Sequence, residues 1–591
     1  MKYQLVNTPL GFKNKSEKIL LSGLWSTRSE IYETLKKETE TEIEVANYHW
    51  SDSRKFSNDY KYLTQLSERT LSLLKENLNN LHDCEESIDY WRILLKPWLN
   101  SFIPSIFDRW ESVENVLKDY EICNISTIEF LASDVTPNCT FDFNINFNLE
   151  DFWNEHIFSL ISDYKTKKKN VKLLKNKFDG VIKKPYPKYQ NNETKLAQNI
   201  FNFISKFKSE NTVFFHDISI DKIDKMKLEL YLGLLPSNYK SEKINNFCFK
   251  KMIRDKIKIS EDSHSEFENF LFSLLPYQIP KVFIEGFKSI NNKDFRHWPS
   301  NPELILSSGS FYADDYFKFY LAKQLSKNKS SLYILQHGGH YGIGKISGML
   351  DYELQIAKKY FSWGWNINSE KIKEFPSIKL SNTLQKNCYS KKGNLLIVGQ
   401  DTPRYSYHLF SYPYSSEYVN YENEIKSFYK NLKKEIQIDT ILRFKHGGRY
   451  GWNQKKIFSK QFPHINLDDA SSPLSDALSK SRICIQTANF TTYLETLSKN
   501  IPTVIFWNPK FNELTDEADI FFKELSKQKI FFSNPKNASY HINQIWEDID
   551  SWWQDKELQN VRKKFVNKYA RISNTSVKDF ASYIRKDMNK R

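Results

Sequence analysis

Cysteine is scarce. Six residues (Cys84, Cys123, Cys139, Cys248, Cys388 and Cys484) stand scattered along 591, with no C-x-x-C pair. That spacing argues against a disulfide frame and a zinc ribbon and suits a reducing compartment. No apolar run approaches the ~18–20 residues that a membrane-spanning helix needs. The opening MKYQLVNTPLGFKNKSEKILL has no continuous apolar core followed by a small-residue cleavage site, so a cytoplasmic location is expected. The patterns G-x-x-x-x-G-K-[ST], G-x-S-x-G, H-E-x-x-H and the kinase set are all missing. Their absence removes P-loop NTPase, nucleophile-elbow hydrolase and zincin chemistry. Glycine is sparse too, with 17 in the chain, so any clustering of it is informative.

What is present is a globular composition: 40% hydrophobic and 15% aromatic residues. The length exceeds what one core supports, so at least two domains are expected. Net charge is +15, from 86 basic and 71 acidic residues. Nucleic acid, an anionic membrane face or phosphorylated small molecules could each account for it, as could lysines spread over solvated faces. The basic residues form no single tract with interleaved aromatics, which makes nucleic acid the weakest of these and leaves it out of the expected partners. The C-terminal VRKKFVNKYARISNTSVKDFASYIRKDMNKR is basic and partly amphipathic. It reads either as a surface helix or as a peripheral contact with the inner-membrane surface.

Along the chain, residues 1–200 read as mainly helical. Leucines recur at helical spacing in DYKYLTQLSERTLSLLKENLNNLHD, and YWRILLKPWLNSFIPSIFDRW continues as a buried segment broken at Pro97 and Pro104. Short apolar runs then alternate with helical stretches. Strands are expected at 212–218, 281–286, 303–310 and 331–339, making residues 201–385 a first Rossmann-like domain. A polar linker near 376–392 leads into a second alternation over 390–570, with runs such as NLLIVGQD, DTILRFKHGG, RICIQTA and PTVIFWNP. Residues 571–591 remain as a basic tail. The expected fold class is therefore α/β, with two Rossmann-type domains facing one cleft behind an N-terminal mainly helical extension.

Two copies of H-G-G-x-Y-G stand at expected strand ends, QHGGHYG (336–342) and KHGGRYG (445–451). Paired glycines there permit positive φ and close approach of a ligand to backbone N–H groups. His337 and His446 could meet a phosphate, a carboxylate or a hydroxyl from the rim. Arg443, Lys445 and Arg449 add cations beside Gly447 and Gly448, which favours an anion. The alternative is two unrelated tight turns whose histidines bond nearby carbonyls. If they are the opposing lips of one cleft, His340 takes the fourth position on one side and Arg449 on the other. No His-x3-His or neighbouring carboxylate pattern supports a metal at His337, His340 and His446, so none is expected.

Three further stretches could carry chemistry. CIQTANFTTYLETLSKNIPTVIFWNP reads as strand, loop, helix and strand, with helix N–H groups near Thr491 and Thr492 suited to phosphate and Glu495 suited to ribose hydroxyls. Thr492-x-x-Glu495 is equally a capping box. In GQDTPRYSY, Arg404 could reach a diphosphate or carboxylate. In SSGSFYADDYF, Asp314 and Asp315 are candidates for the base that takes a proton from an acceptor hydroxyl, or are simply first-turn acids of a helix.

The order RFKHGGR followed by SPLSDALSKSRICIQTANFTTYLETLSKNIPTVIF resembles the donor-binding half of GT-B glycosyltransferases, in particular those using CMP-activated ulosonic acids. The matching positions are Thr491, Thr492, Glu495 and Pro502, with Asn500 near the place where glycine is usual. Over nearly its full length the chain resembles transferases of surface-carbohydrate and O-antigen gene clusters. The landmarks are YHWSDSRK, YWRILLKPWL, FDRW, QHGGHYG, FSWGW, HGGRYGW and FWNP. The resemblance implies transfer of a nonulosonic-acid or Kdo-type sugar from a CMP-linked donor to a glycan or lipid-linked glycan acceptor, with no further cofactor. Lys445, His446, Arg449 and Arg404 would neutralise the donor's anionic groups, and Thr491, Thr492 and Glu495 would grip its nucleotide. His337, Asp314 or Asp315 would serve the acceptor. A teichoic-acid-type polyol-phosphate or phosphosugar transferase and a non-catalytic glycan-binding scaffold remain as alternatives.

Overall fold

A computed structural model describes residues 2–12, 18–38, 41–167, 169–178, 180, 213–259, 265–295, 297–327, 330–381, 389–412, 415–444 and 450–590. Three parallel sheets organise them. The first contains β1 (Tyr3–Val6), β2 (Lys18–Leu21), β3 (Glu42–Val45), β4 (Ile122–Glu129) and β5 (Lys172–Lys177), in the order β3-β2-β1-β4-β5. The second contains β6 (Val213–Phe215), β7 (Leu304–Ser307), β8 (Ser331–Leu335), β9 (Lys359–Ser362) and β10 (Ile372–Glu374), laid down in sequence order. The third contains β11 (Asn394–Gly399), β12 (Thr440–Phe444), β13 (Asn466–Asp468), β14 (Ser481–Gln486), β15 (Thr503–Phe506) and β16 (Phe531–Phe532), in the order β13-β12-β11-β14-β15-β16. That last order is the doubly wound arrangement, whose strand order reverses between β11 and β14. The α/β expectation holds.

Central strands are apolar on both faces because helices cover both sides of a parallel sheet. LILS of β7 and TVIF of β15 are buried at every position. The edge strand β5, KLLKNK, keeps lysines along an exposed rim, which discourages pairing with another chain.

The N-terminal region is rich in helix, as expected, but it also holds the first sheet. Its long helices are α1 (Ser53–His82), α2 (Ile88–Asp119) and α3 (Asp151–Thr166). The sheet escaped sequence reading because three of its strands are four residues long and 76 residues of mostly helical chain separate β3 from β4. Helix α2 runs unbroken through Pro97 and Pro104, against expectation. Proline at 97 leaves the Ile93 carbonyl without its helical donor, and the Tyr352 hydroxyl approaches that oxygen at 3.5 Å. The neighbouring Leu94 carbonyl accepts from Lys318 Nζ at 2.8 Å, so partners outside the helix support the carbonyls around Pro97.

The run KVFIEG, expected as a strand, is a 3₁₀ turn (Lys281–Phe283). Its Lys281 and Val282 N–H groups bond the Pro137 and Asn138 carbonyls instead of a neighbouring strand. Four to six apolar residues fit a buried turn as well as a strand.

Helix α4 (Asp315–Ser326) and helix α5 (Gly348–Ile356) pack the second sheet against α2. The N-terminal unit also holds the third: Arg28 pairs with Glu422 at 2.6 Å and Arg404 with Asp151 at 2.9 Å. The expected basic tail is a helix, Ser576–Met588, that returns to the second sheet. Phe580 meets Phe361 of β9 edge-on at 4.9 Å, and Phe580, Ala581 and Ile584 are buried. Its apolar face is occupied by protein. Among the described residues no helix is long and apolar enough to cross a membrane.

Candidate active site at the facing sheet edges

In an open α/β sheet, ligands sit beyond the carboxyl ends of the strands, at the point where strand order reverses. In the third sheet that point is flanked by the loop after β11 and by residues Thr487–Phe490 after β14. The latter feed helix α6 (Thr491–Ser498), whose N-cap residue Phe490 makes no side-chain capping bond. The Thr492–Glu495 capping box therefore does not form. Glu495, half-buried, pairs with Lys499 at 2.6 Å, and Thr492 sits half-buried in the first turn.

The loop after β8 comes directly against this helix. Gly339 N–H donates to Thr491 Oγ1 at 2.8 Å. A Cβ on Gly339 would lie 2.5 Å from the Phe490 carbonyl carbon and oxygen, so only glycine allows this approach. Gln336 fixes the loop: its Oε1 accepts from Trp363 N (2.8 Å) and Trp365 Nε1 (2.9 Å), and its Nε2 donates to the Gly338 carbonyl (2.8 Å). Gly342 takes a left-handed φ of +72° with Trp365 packed where a side chain would go. The carboxyl edges of the second and third sheets thus face each other through the first H-G-G-x-Y-G motif.

His337 keeps 30% of its side chain exposed at this edge. Its Nδ1 lies 3.8 Å from Glu353 Oε1 on α5, and its Nε2 lies 3.4 Å from the Tyr341 hydroxyl. Glu353 is fully buried and accepts from the hydroxyls of Tyr312 (2.7 Å) and Tyr341 (3.2 Å). Burial pushes its carboxyl up to about 8, against the pull of those hydrogen bonds. An imidazole with one face toward solvent and a buried acid behind it is the arrangement of an oriented proton acceptor. Lys379 Nζ donates to the His337 carbonyl at 2.7 Å and brings a cation to the same rim.

His340 belongs elsewhere. Only 4% exposed, with φ +77°, it has Nε2 2.9 Å from the Ile346 carbonyl, and burial pushes its pKa down to about 4. It locks the turn rather than lining a cleft.

Asp314 caps α4, accepting from Phe317 N at 3.1 Å, and accepts from Ser241 Oγ with His216 Nε2 at 3.4 Å. Burial would raise its carboxyl, but His216 and Ser241 outweigh that and hold it below the usual range. Asp315 points the other way. Fully buried, it pairs with Lys318 at 2.6 Å and accepts from Thr140 N and Oγ1, which corrects its reading as a base.

Two expected anion contacts are likewise spent inside the protein. Arg404 pairs with Asp151 and donates to the Trp25 carbonyl at 3.3 Å, bracing the third sheet against the N-terminal unit. Arg443 pairs with Asp468 on the adjacent strand at 2.8 Å and donates to the Ser472 carbonyl. Each guanidinium already has a carboxylate partner. Lys445, His446, Gly447, Gly448 and Arg449 lie outside the described residues.

Residues 4–584 match the sequence profile described as LIC12162 family transferase. The chain belongs to that family. It is a transferase, and the match spans all three sheets. Among curated proteins none matches the chain. Solved structures similar to it include a pneumococcal O-GlcNAc transferase, GtfA, with UDP and GlcNAc, at 9% identity and TM-score 0.31, covering 49% of this chain and 56% of that one. The wall teichoic acid polymerase TagF is similar at 9% identity and TM-score 0.30, covering 67% and 95%. Acinetobacter baumannii MurG is similar at 12% identity and TM-score 0.31, covering 64% and 100%. The chain spans about half the length of GtfA.

Sequence reasoning missed Glu353, Tyr312 and Tyr341. The one available signal was an acid, Glu353, set among the apolar residues of GMLDYELQI.

Proposed function

We propose that this LIC12162 family member is a glycosyltransferase that moves a sugar from a nucleotide-activated donor to a surface-polysaccharide or O-antigen acceptor. One observation carries the reading: the Gly339–Thr491 contact joins the strand-order reversal of the third sheet to the half-exposed His337 of the second. The nucleotide would lie at the reversal, with Thr492 and Glu495 beside it and the uncapped first turn of α6 toward its phosphate. The acceptor would lie on the second-sheet side.

His337 takes the proton from the acceptor hydroxyl as that oxygen bonds to the anomeric carbon. The bond from the anomeric carbon to the phosphate oxygen breaks, and the nucleotide leaves with the electron pair. The proton goes to Nε2, which exchanges its long 3.4 Å contact with the Tyr341 hydroxyl for the acceptor hydroxyl, while Glu353 on the Nδ1 side orients the imidazole. The resemblance of the segment from Ser472 to Phe506 to CMP-ulosonic-acid transferases favours CMP as the leaving nucleotide.

Calorimetric titration of the purified chain with CMP, CDP, UDP and GDP tests this. CMP should bind most tightly. Binding of none would indicate a scaffold, and preference for CDP with a phosphodiester product would indicate polyol-phosphate transfer; either result overturns the reading.

A further inference from the structure

Beside the candidate site a cavity of about 270 Å³ opens between α1, α2, α5 and the loop following β11. One of its walls is Tyr312, the residue that hydrogen-bonds Glu353 and meets the His337 ring edge-on at 6.5 Å. Tyr450, the tyrosine of the second H-G-G-x-Y-G motif, borders it as well. The cavity therefore borders the second motif at Tyr450 and is separated from His337 of the first by the Tyr312 ring, and the N-terminal unit supplies much of its lining.

The lining has a particular chemistry. Tyr60, Tyr352 and Tyr407 provide aromatic surface. Its charged groups are already engaged: Lys96 pairs with Glu68 at 2.8 Å, and Asp351 accepts a hydrogen bond from the Tyr60 hydroxyl. An incoming carboxylate or phosphate finds no free counter-charge among the described lining residues, whereas apolar ring faces with intervening amides suit a neutral polyhydroxylated ring. Asn144 Oδ1 is buried with no partner among the described residues, an acceptor suited to a hydroxyl. The volume lies just below the ~300–1,000 Å³ usual for small-molecule sites, which fits one sugar ring rather than an oligosaccharide.

We propose that this cavity binds one neutral hexose or N-acetylhexosamine ring of the acceptor glycan, adjacent to the ring whose hydroxyl reacts. The proposal rests on the glycosyl-transfer reading for its purpose but not for its detection.

Gly348 gives a direct handle. A Cβ there would lie 3.7 Å from the Tyr60 ring and 3.8 Å from the Leu409 carbonyl, which are ordinary contacts, so Gly348→Leu fills the cavity without forcing backbone apart. The probes are methyl glycosides of glucose, galactose, mannose and N-acetylglucosamine, with 1-octanol as an apolar comparator, observed by saturation-transfer NMR on the full chain. At least one glycoside should show transfer to its ring protons, and Gly348→Leu should abolish it. Asn144→Leu should weaken it about fivefold, the worth of one hydrogen bond, and serves if Gly348→Leu misfolds.

CMP titration of both variants should match the unmodified chain. Glycoside binding without CMP binding would support the cavity while removing the glycosyl-transfer reading. The proposal is overturned if no glycoside shows transfer, if folded Gly348→Leu keeps the signal, or if octanol binds where glycosides do not.

Discussion

Replacing Glu353 by glutamine should alter the pH dependence of stability in a defined window. The carboxyl is fully buried, and burial moves it from its ordinary 4.5 up to about 8. The folded chain thus holds this proton more tightly than the unfolded chain does. Stability from this group is complete below about 4.5 and is lost as pH rises through about 8. At ~1.36 kcal/mol per pH unit, the interval amounts to about 5 kcal/mol of lost stability across the window. The side-chain amide of Glu353→Gln would mimic the protonated acid at every pH and still accept from Tyr312 and Tyr341. Thermal melting of both proteins at pH 5, 7 and 8.5 is the assay. The midpoints should nearly coincide at pH 5, and the variant should lead by a widening margin at higher pH. Parallel curves would refute the claim that a neutral acid stands behind His337.

Two further outcomes follow from contacts between the units. Gly339→Ala should lower the melting temperature more than Gly338→Ala, because its Cβ meets Phe490 backbone at 2.5 Å whereas that of Gly338 meets Thr491 Oγ1 at 3.2 Å. Overpacking of this kind costs about 1–3 kcal/mol, and equal melting shifts would contradict the contact. Arg404→Ala should destabilise by roughly 1–2 kcal/mol in denaturant titration by leaving Asp151 with the Tyr405 hydroxyl as its remaining partner, while nucleotide affinity of the folded protein stays unchanged. A large loss of affinity with stability intact would return Arg404 to the ligand.

Much of the second and third units was legible in sequence because their strands are short apolar runs closed by polar residues and separated by helices. The expected runs at 303–310, 331–339 and 394–401 contain β7, β8 and β11. Asn500 takes φ +57°, the left-handed conformation that asparagine tolerates best after glycine, so its place near an expected glycine is physically consistent.

The site was legible only where one stretch of chain determines it. Gly339 and Thr491 were each recognisable, but their contact joins residues 152 positions apart. Local chemistry misled where a distant partner decides the outcome. Arg404 resembled an anion contact, but Asp151 from 253 positions away pairs with it, and Asp315, read as a base or a first-turn acid, is a first-turn acid held by Thr140 from 175 away. Glu353 had no local mark beyond its apolar neighbours, because its importance comes from tyrosines on two other segments.

The central claim is that sugar leaves its nucleotide at the junction beside His337. Water can replace an unknown acceptor, so slow hydrolysis of a CMP-linked ulosonic acid by the purified chain measures this step alone. CMP and free sugar should appear together, and His337→Ala should slow their release about a hundredfold while leaving donor affinity intact. No CMP release by the unmodified chain, or undiminished release by the folded variant, would contradict the account.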